Sequence, residues 1–251
     1  MKSSKLLKVF EEYIKTIDMS SAYAKAKYFH SLKSMDLANQ IASSLNMFNE
    51  DEMVIIELIA LFHDIGNFNE NNYNIMDNED EDIAMKSINI LFDEGIVRKI
   101  IEDTQYDNMI KLGIFCHNKE GLPKNISEKM ITVCNIMKDV HNIEEVRMTY
   151  NYPFIDNRIN VYPSSDVYND FKLYRRIDKA TADNNADSIL VVLSGVFGFN
   201  FDYSYNILNE KDYVTKLIDS LIFGDKKVER FFLQIKLALN SYIKKKMINN
   251  N

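Results

Sequence analysis

Residues 53–62, MVIIELIALF, are apolar on nearly every side of the helix they predict, with Glu57 the one charged residue among them. A helix without a polar face has to be surrounded by other elements rather than laid on a surface. This segment therefore requires a core built around it. Just ahead, Asn49 can cap the helix, with Glu52 three residues later as its reciprocal partner. Gly66 stands just beyond, where a residue ending a helix often takes a positive φ. Between helix and glycine lie His63 and Asp64, an adjacent imidazole and carboxylate at the end of a buried segment.

The surrounding sequence supplies the helices that such a core needs. Tyr28, Leu32, Met35, Ala38, Ile41, Ala42 and Leu45 recur at spacings of three and four, marking one helical face with His30 at its flank. The N-terminal stretch carries charges within an apolar pattern and reads as an amphipathic helix rather than a signal peptide. After the acidic run DNEDED at 77–82, whose plain reading is a solvated helix start, Ile83, Ile88, Leu91 and Phe92 are core candidates. Helical stretches follow at 96–103, 106–118 and 127–146, the last with Met130, Val133, Cys134, Met137 and His141 on one face. Residues 149–166, holding two of the three prolines, read as a connection, and helices are expected at 166–175, 181–197, 201–208, 210–222 and 226–246. Tyr203, Tyr205, Phe231 and Phe232 read as packing residues. Only seven glycines and three prolines interrupt 251 residues. The expectation is an all-α protein, with residues 1–251 a single helical domain.

Composition limits the partners. A net charge of −7 argues against a long nucleic acid, whose backbone calls for an excess of Lys and Arg on one face. The lysines at 244–246 suit a solvated helix C-terminus. No apolar run approaches the about 20 residues a membrane span needs. The two cysteines, Cys116 and Cys134, form no Cys-x-x-Cys pair and fall in helical segments, so a reducing cytoplasm is the simplest home.

Neutral imidazole and carboxylate together are good ligands for divalent transition ions. The order His30, His63-Asp64, Asp139 resembles the H…HD…D signature of the HD superfamily of metal-dependent phosphohydrolases. YFHSLKSMDLANQIA is similar to that family's first-histidine helix, LIALFHDIGNF to its His-Asp helix, IFCHNKEGLP to its later HNK segment and ITVCNIMKDVHNIEEV to its last helix. The resemblance covers about residues 25–146, an HD-like metal-site core. Residues 147–251 are then a C-terminal helical extension, and the expected architecture is an HD-domain-like helical bundle.

By the same resemblance, His30, His63, Asp64 and Asp139 would bind one divalent metal ion, whether Mn, Co, Ni, Fe, Zn or Mg. Asp64 and His117 would be catalytic; of the lysines close in sequence to these residues, Lys33, Lys119 and Lys138, the better candidates for contacting substrate phosphate are Lys33 and Lys119. The implied activity is hydrolysis of a small phosphate ester, a nucleotide among the candidates, by metal-activated water. Each residue also has a plain structural reading: a packing or capping His30, a helix-terminal pair at 63 and 64, a solvent-facing Asp139, solvated lysines. His141 reads as a core histidine bonded to a backbone carbonyl.

The pattern departs from fuller members at three positions. Ile83 falls where they carry a further histidine, with Asp80 and Asp82 nearby as substitute oxygen ligands; Asn67 stands in place of an Arg, and Val140 in place of a basic residue. These departures favour a single-metal site. They also motivate the alternative of a catalytically impaired HD-type metal- or ligand-binding module; an iron redox site is a third class, disfavoured by the missing histidine.

Overall fold

A computed structural model describes residues 3–68, 83–119, 121–152 and 156–248. The acidic residues Asp80 and Asp82 lie outside them. The described chain divides into two units, Met1–His141 and Asn142–Asn251.

The first unit contains α1 (Ser3–Ile14), α2 (Ala22–Leu45), α3 (Glu50–Phe62), α4 (Ile83–Asp93), α5 (Ile96–Ile100), α6 (Asp107–Cys116) and the start of α7 (Glu128–Asn151). The apolar helix α3 lies at the centre as expected: Ile55, Ile56, Leu58, Ile59, Ala60, Leu61 and Phe62 are fully buried. Its one charged interior residue is satisfied rather than exposed. Glu57 accepts hydrogen bonds from Ser3 Oγ (2.7 Å) and Asn39 Nδ2 (2.6 Å), which tie α3 to α1 and α2. Burying a carboxylate is costly unless its oxygens are bonded. At the start of α3 the Asn49–Glu52 capping box forms, and Glu52 also pairs with Lys129 on α7 at 2.5 Å.

Gly66 is needed for a different reason than the sequence suggests. The 3-10 turn Ile65–Asn67 follows α3, and the only glycine with positive φ among the described residues is Gly95. A Cβ on Gly66 would lie 2.6 Å from Lys86 Cβ and 2.9 Å from Ser87 N, in the first turns of α4. The Gly66 N–H donates to Ser87 Oγ at 3.0 Å. Gly66→Ala is expected to push α4 away and destabilise the protein by about 1–3 kcal/mol; a thermal unfolding midpoint equal to wild type would show that α4 yields without cost.

The second unit holds the remainder of α7, then α8 (Ser165–Lys172), α9 (Asn185–Ser194), α10 (Asp202–Lys211), α11 (Tyr213–Asp219) and α12 (Lys226–Ile248). Two residues of β1 (Arg158–Ile159) pair in parallel with two of β2 (Ile222–Phe223). Among the described residues the fold is thus all-α apart from this short pair. Helix α7 runs to Asn151, further into the expected connection, and stops two residues short of Pro153. The expected helix 181–197 is shorter because Asn184 caps α9, its side chain accepting from Asp187 N, and the chain tightens into a 3-10 turn at Gly195–Gly198. Asp187 is itself buried and accepts from Ser164 N (2.7 Å) and Asn184 Nδ2 (2.9 Å), locking the start of α8 to α9.

The division between His141 and Asn142 and the expected boundary at 146/147 fall within the same helix, α7. Both cysteines are buried and free. No helix among the described residues is long and apolar enough to cross a membrane.

Candidate metal centre

His63 and His117 are placed by the same local device. Each stands at the C-cap position of a helix, α3 and α6 respectively. Helix ends leave carbonyls without an intrahelical partner, and each imidazole donates its Nδ1–H to the carbonyl three residues back: His63 to Ala60 O at 2.8 Å, His117 to Ile114 O at 2.7 Å. A carbonyl only accepts, so the proton of each neutral ring is at Nδ1 and the lone pair at Nε2. Burial depresses both pKa values; for His63 the neighbouring His117 and His30 push it further down, well below the usual range, while for His117 the Asp64 charge and the Ile114 carbonyl oppose the shift without cancelling it. Both rings are therefore neutral and in the tautomer that presents Nε2 to a metal.

His30 comes from the interior of α2, and its Nε2 lies 3.1 Å from that of His63. At Asp64 the backbone leaves the helix (φ −120°, ψ 15°). That break lets two sequence neighbours, which would diverge by about 100° on a continuous helix, turn to one point. His30 Nε2 is 3.8 Å from Asp64 Oδ2, and the ligand atoms of His30, His63 and Asp64 all lie within 4.8 Å of one another. All three side chains are buried.

This donor set fits a divalent ion. Two nitrogens bound to one ion at about 2.0–2.1 Å stand about 2.9–3.4 Å apart in octahedral or tetrahedral geometry, and the observed 3.1 Å falls inside that interval. Asp139 is fully buried on α7, not facing solvent, and is not part of the three-residue set. His117 continues the cluster, its ring centre 4.8 Å from that of His63. His141 is half-buried, and its ring packs against His117 with centres 5.5 Å apart, a neighbour the core-histidine reading did not foresee.

The cation at this site is a residue that sequence reasoning passed over. Lys27 Nζ bonds Asp64 Oδ2 at 2.6 Å, with only 16% of its side chain exposed. Burial acts to raise the pKa of Asp64, but Lys27, His63, His30 and His117 together outweigh it, so the carboxyl stays ionised far below its usual range. The signal was present: Lys27 precedes His30 by three residues on α2 and so shares its face. Of the two lysines preferred from the sequence, Lys33 pairs with Asp36 at the surface and Lys119 sits 5.5 Å over the Phe115 ring. Asn67 is buried, and its Oδ1 accepts from Tyr23 OH at 2.6 Å. Ile83 opens α4, its carbonyl 3.1 Å from the place of a Gly66 Cβ. Val140 is core.

The family model described as HD domain matches residues 28–145, the span that contains every histidine of the cluster together with Asp64 and Asp139. The chain thus carries an HD domain there, and HD domains are generally metal-dependent hydrolases. No curated protein and no solved structure matches the chain.

Proposed function

We propose that the HD domain hydrolyses a small phosphate ester, with a nucleotide as the leading candidate, at one divalent ion held by His30, His63, Asp64 and Asp139. The observation that carries this reading is the convergence of two imidazoles and a carboxylate in one buried cluster, with an ammonium 2.6 Å from the carboxylate. Such an ion supplies Lewis acidity, polarising a phosphoryl oxygen and acidifying a water. The protein's own groups do the rest. Asp64 orients the attacking water through its carboxylate, and Lys27 offsets the negative charge of the phosphoryl oxygens. This lysine compensates for the departure at Asn67, whose amide carries no charge. His117, with its lone pair at Nε2, is assigned to the phosphate side. The acidic composition supports a small ester over a long nucleic acid, and the unbridged Cys116 and Cys134 support a reducing compartment such as the cytoplasm.

The test is turnover by metal-reconstituted protein against nucleoside monophosphates, p-nitrophenyl phosphate and cyclic dinucleotides. Release of inorganic phosphate, abolished by chelation, is the expected result. Metal and phosphate binding without turnover of any substrate would return the protein to the class of binding modules.

The nitrogen-rich donor set carries a second expectation, about which ions bind. Imidazole favours Zn, Fe, Co and Ni, while Mg favours oxygen donors and retained water. At about 100 times its dissociation constant, Co or Ni should stabilise the fold by about 2.7 kcal/mol. Magnesium at the same concentration should leave the unfolding midpoint unmoved; equal shifts for Mg and Co would mean that carboxylates, not the histidines, hold the ion.

A further inference from the structure

Helix α12 concentrates positive charge that the rest of the chain lacks. Its 23 residues carry seven Lys or Arg and one carboxylate, Glu229, a local net charge of +6. Subtracting +6 from the chain's −7 leaves −13 for all other residues. The helix dipole accounts for only part of this pattern. Lysines at 244–246 suit a C-terminal end, whereas Lys226, Lys227 and Arg230 stand in the first turns, where the dipole disfavours cations. Lys226, Lys227, Arg230, Lys244 and Lys245 are exposed, and their side chains have no hydrogen-bond or ion-pair partner among the described residues. Elsewhere, Lys27, Arg98, Lys129 and Arg147 each pair with a carboxylate.

Apolar groups lie between the two cationic ends. Lys226, Arg230, Leu233, Leu237 and Lys244 recur at spacings of three, four and seven, so they share one face of α12, about 27 Å long. Both leucines are exposed, Leu237 to 69%. Along one flank of the helix, exposed Tyr162 packs on Phe231 and exposed Tyr174 stacks on Tyr242, with ring centres 5.5 and 4.9 Å apart. Tyr174 takes a left-handed φ of 56° in the turn that closes α8, where glycine is usual, so an exposed ring is kept there against backbone strain.

We infer that this face of α12 docks on an anionic phospholipid bilayer. The helix lies flat in the headgroup layer, with Leu233 and Leu237 toward the acyl chains and the cations at both ends on lipid phosphates. Each cation held near such a leaflet is worth about fivefold in binding. Because the Debye length is about 8 Å at physiological salt, the face next to the lipid sets the attraction, not the negative charge elsewhere on the chain. The flanking tyrosines suit the bilayer interface, which accommodates both an apolar ring and a polar hydroxyl. A second copy is a poor occupant, since antiparallel pairing of two α12 helices sets Lys226, Lys227 and Arg230 against Lys244 and Lys245 of the other copy. Two leucines also supply little of the apolar core that a protein interface burying about 800 Å² per partner needs. A single-stranded nucleic acid calls for aromatic faces in the stripe itself, which carries leucines instead. The inference does not depend on the proposed function: it brings the protein to a membrane surface without any part for α12 in the chemistry.

The test is flotation of untagged, full-length protein with vesicles of phosphatidylcholine alone or mixed equally with phosphatidylglycerol. Wild type should partition onto the anionic vesicles at least about tenfold more than onto the zwitterionic ones, and added salt should release it. Lys226→Gln with Lys227→Gln, and separately Lys244→Gln with Lys245→Gln, should each weaken that partition by about tenfold or more. Leu237→Ser should weaken it by about tenfold while leaving its salt dependence unchanged, which assigns the leucine to the apolar layer. These side chains are exposed, so unfolding midpoints equal to wild type are expected and separate docking from folding. Equal partition onto both kinds of vesicle, or anionic partition that survives loss of either lysine pair, would overturn the inference. Tighter binding to polyuridylate than to the anionic vesicles would assign the face to nucleic acid instead, and a wild-type dimer that Leu237→Ser dissociates would assign it to a second copy.

Discussion

His63→Ala is expected to fold and to lose the tight metal ion altogether, with hydrolysis falling by about a thousandfold or more. The reason lies in what the imidazole does locally. His63 supplies the nitrogen 3.1 Å from that of His30 and is held there by Ala60 O at the end of α3. Alanine removes one of the two imidazoles and leaves His30, Asp64 and Asp139, one short of the four-ligand set that holds a transition ion tightly. The helix itself depends on Ile55, Leu58, Leu61 and Phe62, which the substitution does not touch. Asp139→Asn is the companion experiment. Asp139 is fully buried on α7, and the amide keeps its shape while removing the charge, so a metal affinity lower by about tenfold or more would identify it as a ligand. Metal content and activity equal to wild type in the His63 variant would remove the basis for the hydrolase reading, and an Asp139→Asn protein that binds metal normally would confine the site to His30, His63 and Asp64.

The parts of this site that were legible in the sequence are those whose chemistry and local structure coincide. His63 and Asp64 stand at the end of a segment whose apolarity fixes it in the core, so a polar pair there demands a purpose. His30 lies at the flank of a clear helical stripe. Lys27 was passed over because a lysine on an amphipathic helix ordinarily extends into water, and nothing local shows that its ammonium reaches a carboxylate 37 residues away. The pairing of His141 with His117 is likewise tertiary: it depends on how α6 and α7 meet, which periodicity does not encode. Gly66 was noticed, yet the demand on it comes from the backbone of α4 and not from its own φ. In the second unit, the break of 181–197 follows from the Asn184 cap and the buried Asp187, whose hydrogen bonds outweigh continued helical propensity.

Lys27→Met should separate the two halves of the proposed chemistry by moving them in opposite directions. The ammonium lies 2.6 Å from Asp64 Oδ2, so it competes with a divalent ion for the same carboxylate and repels that ion directly. Unit charges about 4 Å apart interact by about 4 kcal/mol at an effective dielectric of 20, and each 1.4 kcal/mol is tenfold in affinity. Even partial relief of that repulsion predicts metal binding tighter by about tenfold in Lys27→Met. The phosphate side responds the other way. With the ammonium gone, the negative phosphoryl oxygens lose a neutralising charge that Asn67, bonded to Tyr23 OH, does not supply. Inorganic phosphate should then inhibit about tenfold less effectively, and KM for the ester should rise by a similar factor. Methionine retains most of the apolar stem, which keeps packing changes small. Titration of metal and of phosphate on the same two proteins reads both effects. Tighter metal together with weaker phosphate assigns Lys27 to the anion; weaker metal in Lys27→Met would instead mean that the ammonium mainly orders Asp64, and that the phosphate must find its positive charge elsewhere on the HD domain.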